Sequence, residues 1–547
     1  MYKLSVCLLA GAVCLGLTFP ATAQDIKVAS TSLTRIVIAP PQTALARTIK
    51  SGLSAAYYGA KSNTAAYDEA QKLYFFYGER HFEPLWLTQS ADGVLSFSPT
   101  AETIIKVFAD AGDEGLRPKD YLTPDLDVVA ATGDPAKMAA LETAFSAALV
   151  RYADNLLNGR IRPGSISSDL DMAPKPLDAT KLLLDIAKGQ NPKTVLAKFE
   201  PRHREFLQLK AALADFDADA DNQKIDIPSG PSLRLGMSDT RVALLRQRLE
   251  MTETAEDPSV YDKVVVSAVK DFQASKGLTS DGIAGPATVA ALNGGPTVTR
   301  DDIIANMERW RWMPTDLGNF NVLVNVPEYR LSINQSGKSI YSTRVVVGSK
   351  AHPTPIFSNN IKHVVVNPYW NVPASIIKNE IAGKTLANPN YIASQNMDLI
   401  YKGNVINASQ VNWSEVGNSF PFRVRQRPGA GNALGRIKFL FPNKHDVYLH
   451  DTPSKSLFSR SYRAYSHGCV RVQNPMDFAD ALMRNEPNIS GASLASMFGS
   501  SERWVNPEHT IPVHIAYFTL RVQPDGTVTS YADVYGHNAK LIAALNK

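Results

Sequence analysis

The apolar residues of this chain keep two different periods, and the change falls near residue 315. Between about 60 and 218 they recur every three or four positions, as in Leu141, Phe145, Leu149, Tyr152 and Leu156, a run that Gly159 ends. That is the repeat of one helix face. After residue 315 come short β-branched segments separated by Pro, Gly and Asn: Phe320 to Val326, Tyr329 to Ile333, Tyr341 to Val347 and Ile361 to Val366. Ile437 to Phe441, Asp446 to His450 and Ile511 to Val522 continue them, and all read as strands. One core does not accommodate both textures in 547 residues. About two to four domains of α + β character are expected.

Punctuation divides the chain further. Residues 24 to about 55, rich in Ala, Ser and Thr, read as a mobile lead-in. Thr100 caps a predicted helix that stops at Gly112. The aromatic run from Leu73 to Tyr77, with Phe82 and Trp86, reads as core. Asp217 to Ser232 has the composition of a linker. Two short amphipathic helices are predicted at roughly 239–250 and 262–276. They are followed by Gly277, Gly282 and Gly285, whose spacing suits tight turns in a compact helical module. Residues 373–425 are irregular and rich in Asn and Ser, an expected insertion on the β-rich domain and a candidate lid.

The start of the chain has the form of an export signal. Lys3 precedes an apolar stretch from Leu4 to Phe19, and Ala21-Thr22-Ala23 offers cleavage before Gln24. Neither Cys7 nor Cys14 follows a small residue, so lipidation is not expected. No later segment holds about 18 uninterrupted apolar residues. The 57 basic residues against 52 acidic ones, net +5, are spread without a dense basic run. Nucleic acid is therefore not expected as a partner.

Cleavage at that signal would leave one of the three cysteines, Cys469, in Tyr465-Ser466-His467-Gly468-Cys469-Val470-Arg471. An exported lone thiol has no disulfide partner in its own chain, which points to nucleophilic chemistry. His450 lies nineteen residues upstream. Strand alternation sets Tyr448 and His450 on one face and Val447 and Leu449 on the other. A histidine within hydrogen-bond reach would turn a mostly protonated thiol into a nucleophile. Gly468 permits close approach of backbone amides, as an oxyanion hole requires.

The string His450, fifteen residues, then Ser466-His467-Gly468-Cys469-Val470-Arg471 resembles the active-site signature of the L,D-transpeptidases. Asn306 to Trp312, Asn367 to Pro373, Arg425 to Gly429, Asn432 to Gly435 and Tyr448 to Pro453 resemble the same family. The spacing around Gly282 resembles a different element, the peptidoglycan-binding repeat found beside many bacterial wall enzymes. The whole resembles the large, scaffold-bearing enzymes of Gram-negative bacteria. The resemblance implies a signal peptide (1–23), the lead-in (24–55), a helical scaffold (56–225), a peptidoglycan-binding-like module (230–295) and a β-rich catalytic domain (300–547) with its cap at 373–425.

It also implies roles. Cys469 would be acylated and His450 would be its base, oriented by the backbone carbonyl of Asp451. His467 and Gly468 would shape the loop and oxyanion site. Tyr448, Trp370, Arg471, Asp451 and Ser466 would line the pocket. The reaction implied is 3→3 cross-linking of peptidoglycan tetrapeptide stems in the periplasm, without a cofactor. Carbapenems would acylate the same thiol. Water, the amino terminus of an outer-membrane protein, or a stem amine remain open as acceptors, and other wall enzymes as docking partners. A non-catalytic wall-binding scaffold is the rival class.

Two patterns are set aside. Ser375-Ile376-Ile377-Lys378 matches S-x-x-K, but the accompanying S-D-N and K-T-G elements are absent. A metal site built on His450, His467 and Cys469 lacks the spacing of known zinc motifs.

Overall fold

The computed structural model describes residues 38–547 apart from 217–226, 229, 253–254, 276–277, 294–297, 417–419 and 524–525. The signal peptide and the first part of the lead-in, residues 24–37, fall outside the described residues. The last part of the lead-in is structured. Ala44–Gly59 is a helix capped by the Thr43 side chain, and Ala46, Ile49 and Leu53 are buried in the scaffold core. Their three-to-four spacing is real, but Ala, Ser and Thr between them dilute the signal.

The scaffold is helical apart from one antiparallel pair of short strands, Leu87–Gln89 and Leu95–Phe97. Leu141, Phe145, Leu149, Tyr152 and Leu156 lie buried along the Pro135–Asn158 helix, which ends where Gly159 turns to φ +79°. The aromatic run forms the core, with Phe76, Tyr77, Phe82 and Trp86 fully buried. The fully buried Glu142 carboxylate accepts from the Tyr77 hydroxyl at 2.7 Å and from the Leu85 and Trp86 amides. Burial pushes that carboxyl up to about 7. The helix expected from Thr100 to Gly112 is Pro99–Ala109, with Ser98 as its cap and a 3₁₀ turn after it. Proline at the first helical position leaves the residue before it as the cap.

The module near Gly282 has its own small core, with Arg241–Arg248, Lys263–Ser275 and Pro286–Leu292 as its helices. Gln273 holds the turn together. It donates to Asp281, Ile283 O and Thr288 and accepts from Gly282 N. Gly282 has φ +73°, and a Cβ there would sit 2.8 Å from Val266, so glycine is required.

The catalytic region is built on a sheet of eleven strands among the described residues. They are β1 (Phe320–Asn325), β2 (Arg330–Gln335), β3 (Lys338–Gly348), β4 (Phe357–Ile361), β5 (His363–Val366), β6 (Ile437–Leu440), β7 (Leu449–His450), β8 (Ala464–Ser466), β9 (Val470–Val472), β10 (Arg503–Val505) and β11 (Ile511–Ala516). Their order is β10-β5-β6-β7-β9-β3-β2-β1-β11-β4, with β8 beside β3. Pairing is antiparallel except β7 with β9, β8 with β3 and β11 with β1. Residues expected as the strand Asp446 to His450 give only two strand residues. Asp446 is at φ +53°, and the Asn443 side chain, bonded to His445 N and Val447 N, ties the preceding turn. That turn starts the strand late.

The insertion folds as a unit slightly wider than its expected bounds. Trp370–Asn371, Met397–Tyr401, Asn404–Ile406 and Arg423–Gln426 form a separate four-stranded sheet over a small core of Ile376, Ile377, Ile392, Leu399 and Val424. Short helical turns from Ala374 to Ser394 complete it.

Asn306 to Trp312 does not reach the thiol. It lies in the Arg300–Trp312 helix, which is buried between scaffold and catalytic sheet. The Glu308 carboxylate accepts from Ile161 N at 2.7 Å, and Arg311 donates to Glu114 O at 2.6 Å. On the other side Arg309 donates to Asn538, and Asn306 accepts from Thr519 N. Arg311 is fully buried. Its charges and hydrogen bonds serve to join domains.

Candidate active site

The site is assembled by two neighbouring parallel strands. In β7 and β9, Leu449 pairs with Val470 and His450 with Arg471. Val470 N donates to Tyr448 O at 3.1 Å, which extends the register by one position and sets Cys469 beside Tyr448. Side chains alternate across a sheet. Val447, Leu449, Val470 and Val472 therefore enter the apolar core. Tyr448, His450, Cys469 and Arg471 share the opposite face, as alternation in the sequence predicts.

His450 is 4% exposed. Its Nδ1 makes a short contact with the carbonyl of Asp451. A carbonyl only accepts, so Nδ1 carries the proton and Nε2 the lone pair. Burial, reinforced by the Arg471 charge, brings the imidazole down to about 3. It is neutral near pH 7. The Asp451 carboxylate turns away from the ring, accepting from Arg436 N at 2.9 Å and Lys455 Nζ at 2.6 Å. Gly435, at φ +61°, leaves room for it, since a Cβ there would lie 2.2 Å from Asp451 Oδ2.

Cys469 is half-buried. Its thiol points to the Asp446 carbonyl at 3.7 Å, and among the described residues no hydrogen bond joins it to His450. Burial pushes the thiol up to about 11, against the opposing influence of Tyr448 hydrogen bonding and the Arg471 charge. Thiol and imidazole are thus both neutral at rest. Proton transfer to Nε2 requires Sγ to swing from Asp446 O toward His450.

The loop before the thiol is braced from below. Gly468, at φ +111°, gives its carbonyl to Thr354 Oγ1 at 2.7 Å, and Thr354 Oγ1 accepts from Gly348 N at 2.8 Å. Tyr535 accepts from Thr354 N and donates to Gly348 O. Ser466 is buried, accepting from Gly468 N and donating to Cys469 O. Its one donor proton is committed to the loop, which the hydroxyl thereby holds. Gly468 N is used in the same way, whereas Cys469 N has no partner among the described residues and remains available to an oxyanion.

His467 lies outside this inner set. It is exposed on the rim, stacked on His352 at 4.8 Å and paired with Glu380 of the insertion at 2.9 Å. Trp370 is half-buried in the sheet of the insertion and packs on its apolar core.

Sequence reasoning missed Lys438, Asp446, Thr354 and Tyr535. Lys438 had a readable signal: it is the charged residue in the apolar strand Ile437–Leu440. Asp446 and Thr354 act through backbone geometry, which a single sequence does not spell out. A cavity of about 800 Å³ lies away from the thiol, beside Glu205, Glu328 and Arg521. Among the described residues no group of three or more His, Cys, Asp and Glu is placed to hold a metal. No described helix is long and apolar enough to cross a membrane.

The three regions match three family models. Residues 319–489 match the L,D-transpeptidase catalytic domain, 71–213 a scaffold domain and 238–292 a putative peptidoglycan binding domain. The chain therefore carries an L,D-transpeptidase catalytic domain together with scaffold and peptidoglycan-binding domains. A curated relative, a putative L,D-transpeptidase of Haemophilus influenzae, is 35% identical over 244 residues, 44% of this chain and 49% of its own length. The chain spans about half of that relative. Among solved structures, an L,D-transpeptidase from Mycobacterium smegmatis is 13% identical, covering 36% of this chain and 58% of its own, with a TM-score of 0.17. An L,D-transpeptidase in complex with imipenem is also 13% identical, over 36% of this chain and 59% of its own, at 0.17. Superpositions this weak carry no structural argument.

Proposed function

We propose that this chain is a cysteine-dependent L,D-transpeptidase that forms 3→3 cross-links in peptidoglycan. The observation that carries the reading is the pairing of β7 with β9. Within the matched catalytic domain it sets Cys469, His450, Tyr448 and Arg471 on one face of the sheet. Sγ attacks the carbonyl of the third residue in a tetrapeptide stem while His450 Nε2 takes the thiol proton. The C–N bond to the terminal D-Ala breaks, and that proton passes to the departing amine. The Cys469 N–H receives the transient oxyanion. The side-chain amine of a neighbouring stem then attacks the thioester, an amide forms and the thiol is restored. The thioester conserves the acylating power of the original amide, so no nucleotide is consumed. The scaffold and module fit an enzyme that works on an insoluble wall, in the periplasm after export.

The test is mass spectrometry of the protein with purified disaccharide-tetrapeptide, beside Cys469→Ala. A dimer equal to two substrates less one D-alanine, absent with Cys469→Ala, is expected. Tripeptide alone would move the reading to carboxypeptidase action. No product from this donor, but Cys469-dependent transfer to the amine of an outer-membrane protein, would make the chain an anchoring transferase. Retained activity in Cys469→Ala would end the assignment.

A further inference from the structure

One transverse row of the sheet crosses the site. Trp504, Val365, Lys438, His450, Arg471 and Val346 are register partners on six neighbouring strands, and their side chains share one face. Lys438 stands directly beside His450 in that row. It is 9% exposed, yet among the described residues its ammonium makes neither a hydrogen bond nor an ion pair. Its neighbours are two aromatic rings, Tyr448 at 5.8 Å and Trp504 at 6.0 Å.

The carboxylate that it senses, Glu502, is already occupied. One oxygen accepts from Tyr369 N at 2.8 Å and the other from Trp504 Nε1 at 3.1 Å. On the far side of His450, Arg471 is also without a hydrogen bond among the described residues, and its Nε is buried. Two cations thus flank the base, and neither is in an ion pair among the described residues. Burial lowers the Lys438 ammonium from its usual value, opposed by Glu502 and the thiol. Cation–π contact offsets only part of the cost of burying such a charge. Val365 and Val346 in the same row show that an aliphatic side chain suits this face. Filling space therefore does not explain the lysine.

We propose that Lys438 binds a free carboxylate of the acyl-donor peptide and so fixes the donor against Cys469. The proposal rests on the transpeptidase reading for the identity of the donor. Two carboxylates have the required chemistry: that of the terminal D-residue, and that on the side chain of the third-position diamino acid. The ion pair forms in a partly desolvated site, where charge-assisted bonds are strongest.

The experiment uses three donors: disaccharide-tetrapeptide, its C-terminal amide, and the form amidated on the diamino-acid side chain. Their affinities are measured by calorimetry for Cys469→Ala and for Cys469→Ala combined with Lys438→Met. The KM and kcat of acylation are measured for the wild type and Lys438→Met. Lys438→Met should weaken the unmodified donor about tenfold or more, chiefly in affinity and KM. One amidated donor should bind the parent weakly and be indifferent to Lys438→Met, which identifies the carboxylate. Lys438→Arg should restore part of the affinity, and Lys438→Gln replaces Lys438→Met if that variant does not fold. Equal weakening of all three donors, no weakening, or no measurable donor binding would overturn the proposal. If donors bind but no acylation occurs, the transpeptidase reading fails, and Lys438 is still decided by the affinities.

Discussion

Asp171 of the scaffold holds the ring of His445 in the catalytic domain, Oδ2 to Nε2, at 2.8 Å, and its other oxygen holds Lys444 at the same distance. The next residue is Asp446, whose carbonyl receives the Cys469 thiol. The main chain runs alongside: Ile356 N donates to Asp169 O at 2.7 Å and Asp171 N to Ile356 O at 2.9 Å. The scaffold thereby fixes one wall around the Cys469 thiol.

Removing that grip should separate activity from stability. The pair is partly exposed, so Asp171→Ala is expected to cost about 1 kcal/mol or less. Cys469 acylation should fall several-fold, because the Asp446 carbonyl loses its fixed position. Thermal melting and single-turnover mass spectrometry measure the two effects, and unchanged acylation would refute the coupling. Lys444 and then His445 hold the Asp171 carboxyl below the usual carboxylate range. Its contribution is therefore present above the unfolded carboxylate pKa, about 4, and is lost as pH falls through the lower folded value. Asp171→Asn should lose less stability than wild type on acidification from pH 5 to 3.

Glu308 is expected to be far more costly to remove. It lies at 1% exposure, accepts from Ile161 N and sits 3.8 Å from the buried Arg311. Glu308→Ala leaves that guanidinium without its anion, a loss of about 3–5 kcal/mol. Glu308→Gln keeps the hydrogen-bonding shape and should lose less. Gly159→Ala should also destabilise, since its Cβ would lie 2.5 Å from Glu308 Oε1 at a φ of +79°. Urea denaturation gives all three. A loss below 1 kcal/mol in Glu308→Ala would mean the helix is not the weld described.

The legible parts of this molecule are those with a short period or a local signature. The stripe from Leu141 to Leu156 and the alternation from Val447 to His450 both place side chains correctly, because period alone decides which face is buried. The signature around Cys469 spans residues of one strand pair, β7 and β9. Long-range choices were not legible. Asn306 to Trp312 carries the family resemblance but forms hydrogen bonds to Ile161, Glu114 and Thr519, contacts set by tertiary packing. Trp370 follows the same logic: its sequence neighbourhood points to the pocket, yet its strand belongs to the sheet of the insertion. Ser466 sits in the signature because the loop needs its hydroxyl.

The resting state of the nucleophile gives a pH test. With the thiol pushed up to about 11 and His450 down to about 3, Cys469 should alkylate slowly at pH 7 and faster above pH 9. Fast labelling at pH 6–7 that disappears in His450→Gln would instead reveal a thiolate–imidazolium pair. The folded His450 value is depressed, so between pH 6.5 and about 3 the unfolded state binds the extra proton. Stability should therefore fall as pH drops through that window, by up to about 1.4 kcal/mol per unit from this group. The acid sensitivity of wild type measured against His450→Gln isolates it. Acylation by substrate should drop by about 10²–10⁴ in the same variant if His450 is the base.

The insertion touches the nucleophile loop through Glu380 and His467, 2.9 Å apart, with His352 stacked behind. Glu380 lies in a single π-helical turn, Ile377–Ile381, a geometry that marks functional sites more often than chance. Both partners are well exposed, so the bond is weak enough to open and close within a catalytic cycle. Glu380→Ala should raise hydrogen exchange across residues 374–387 and leave the global melting temperature within about 2 °C. High salt should do the same to wild type under conditions where His467 is protonated, because it screens an exposed pair. If exchange in those residues is unchanged by both treatments, the insertion is held by its apolar core alone, and Glu380 is not what keeps it against the loop.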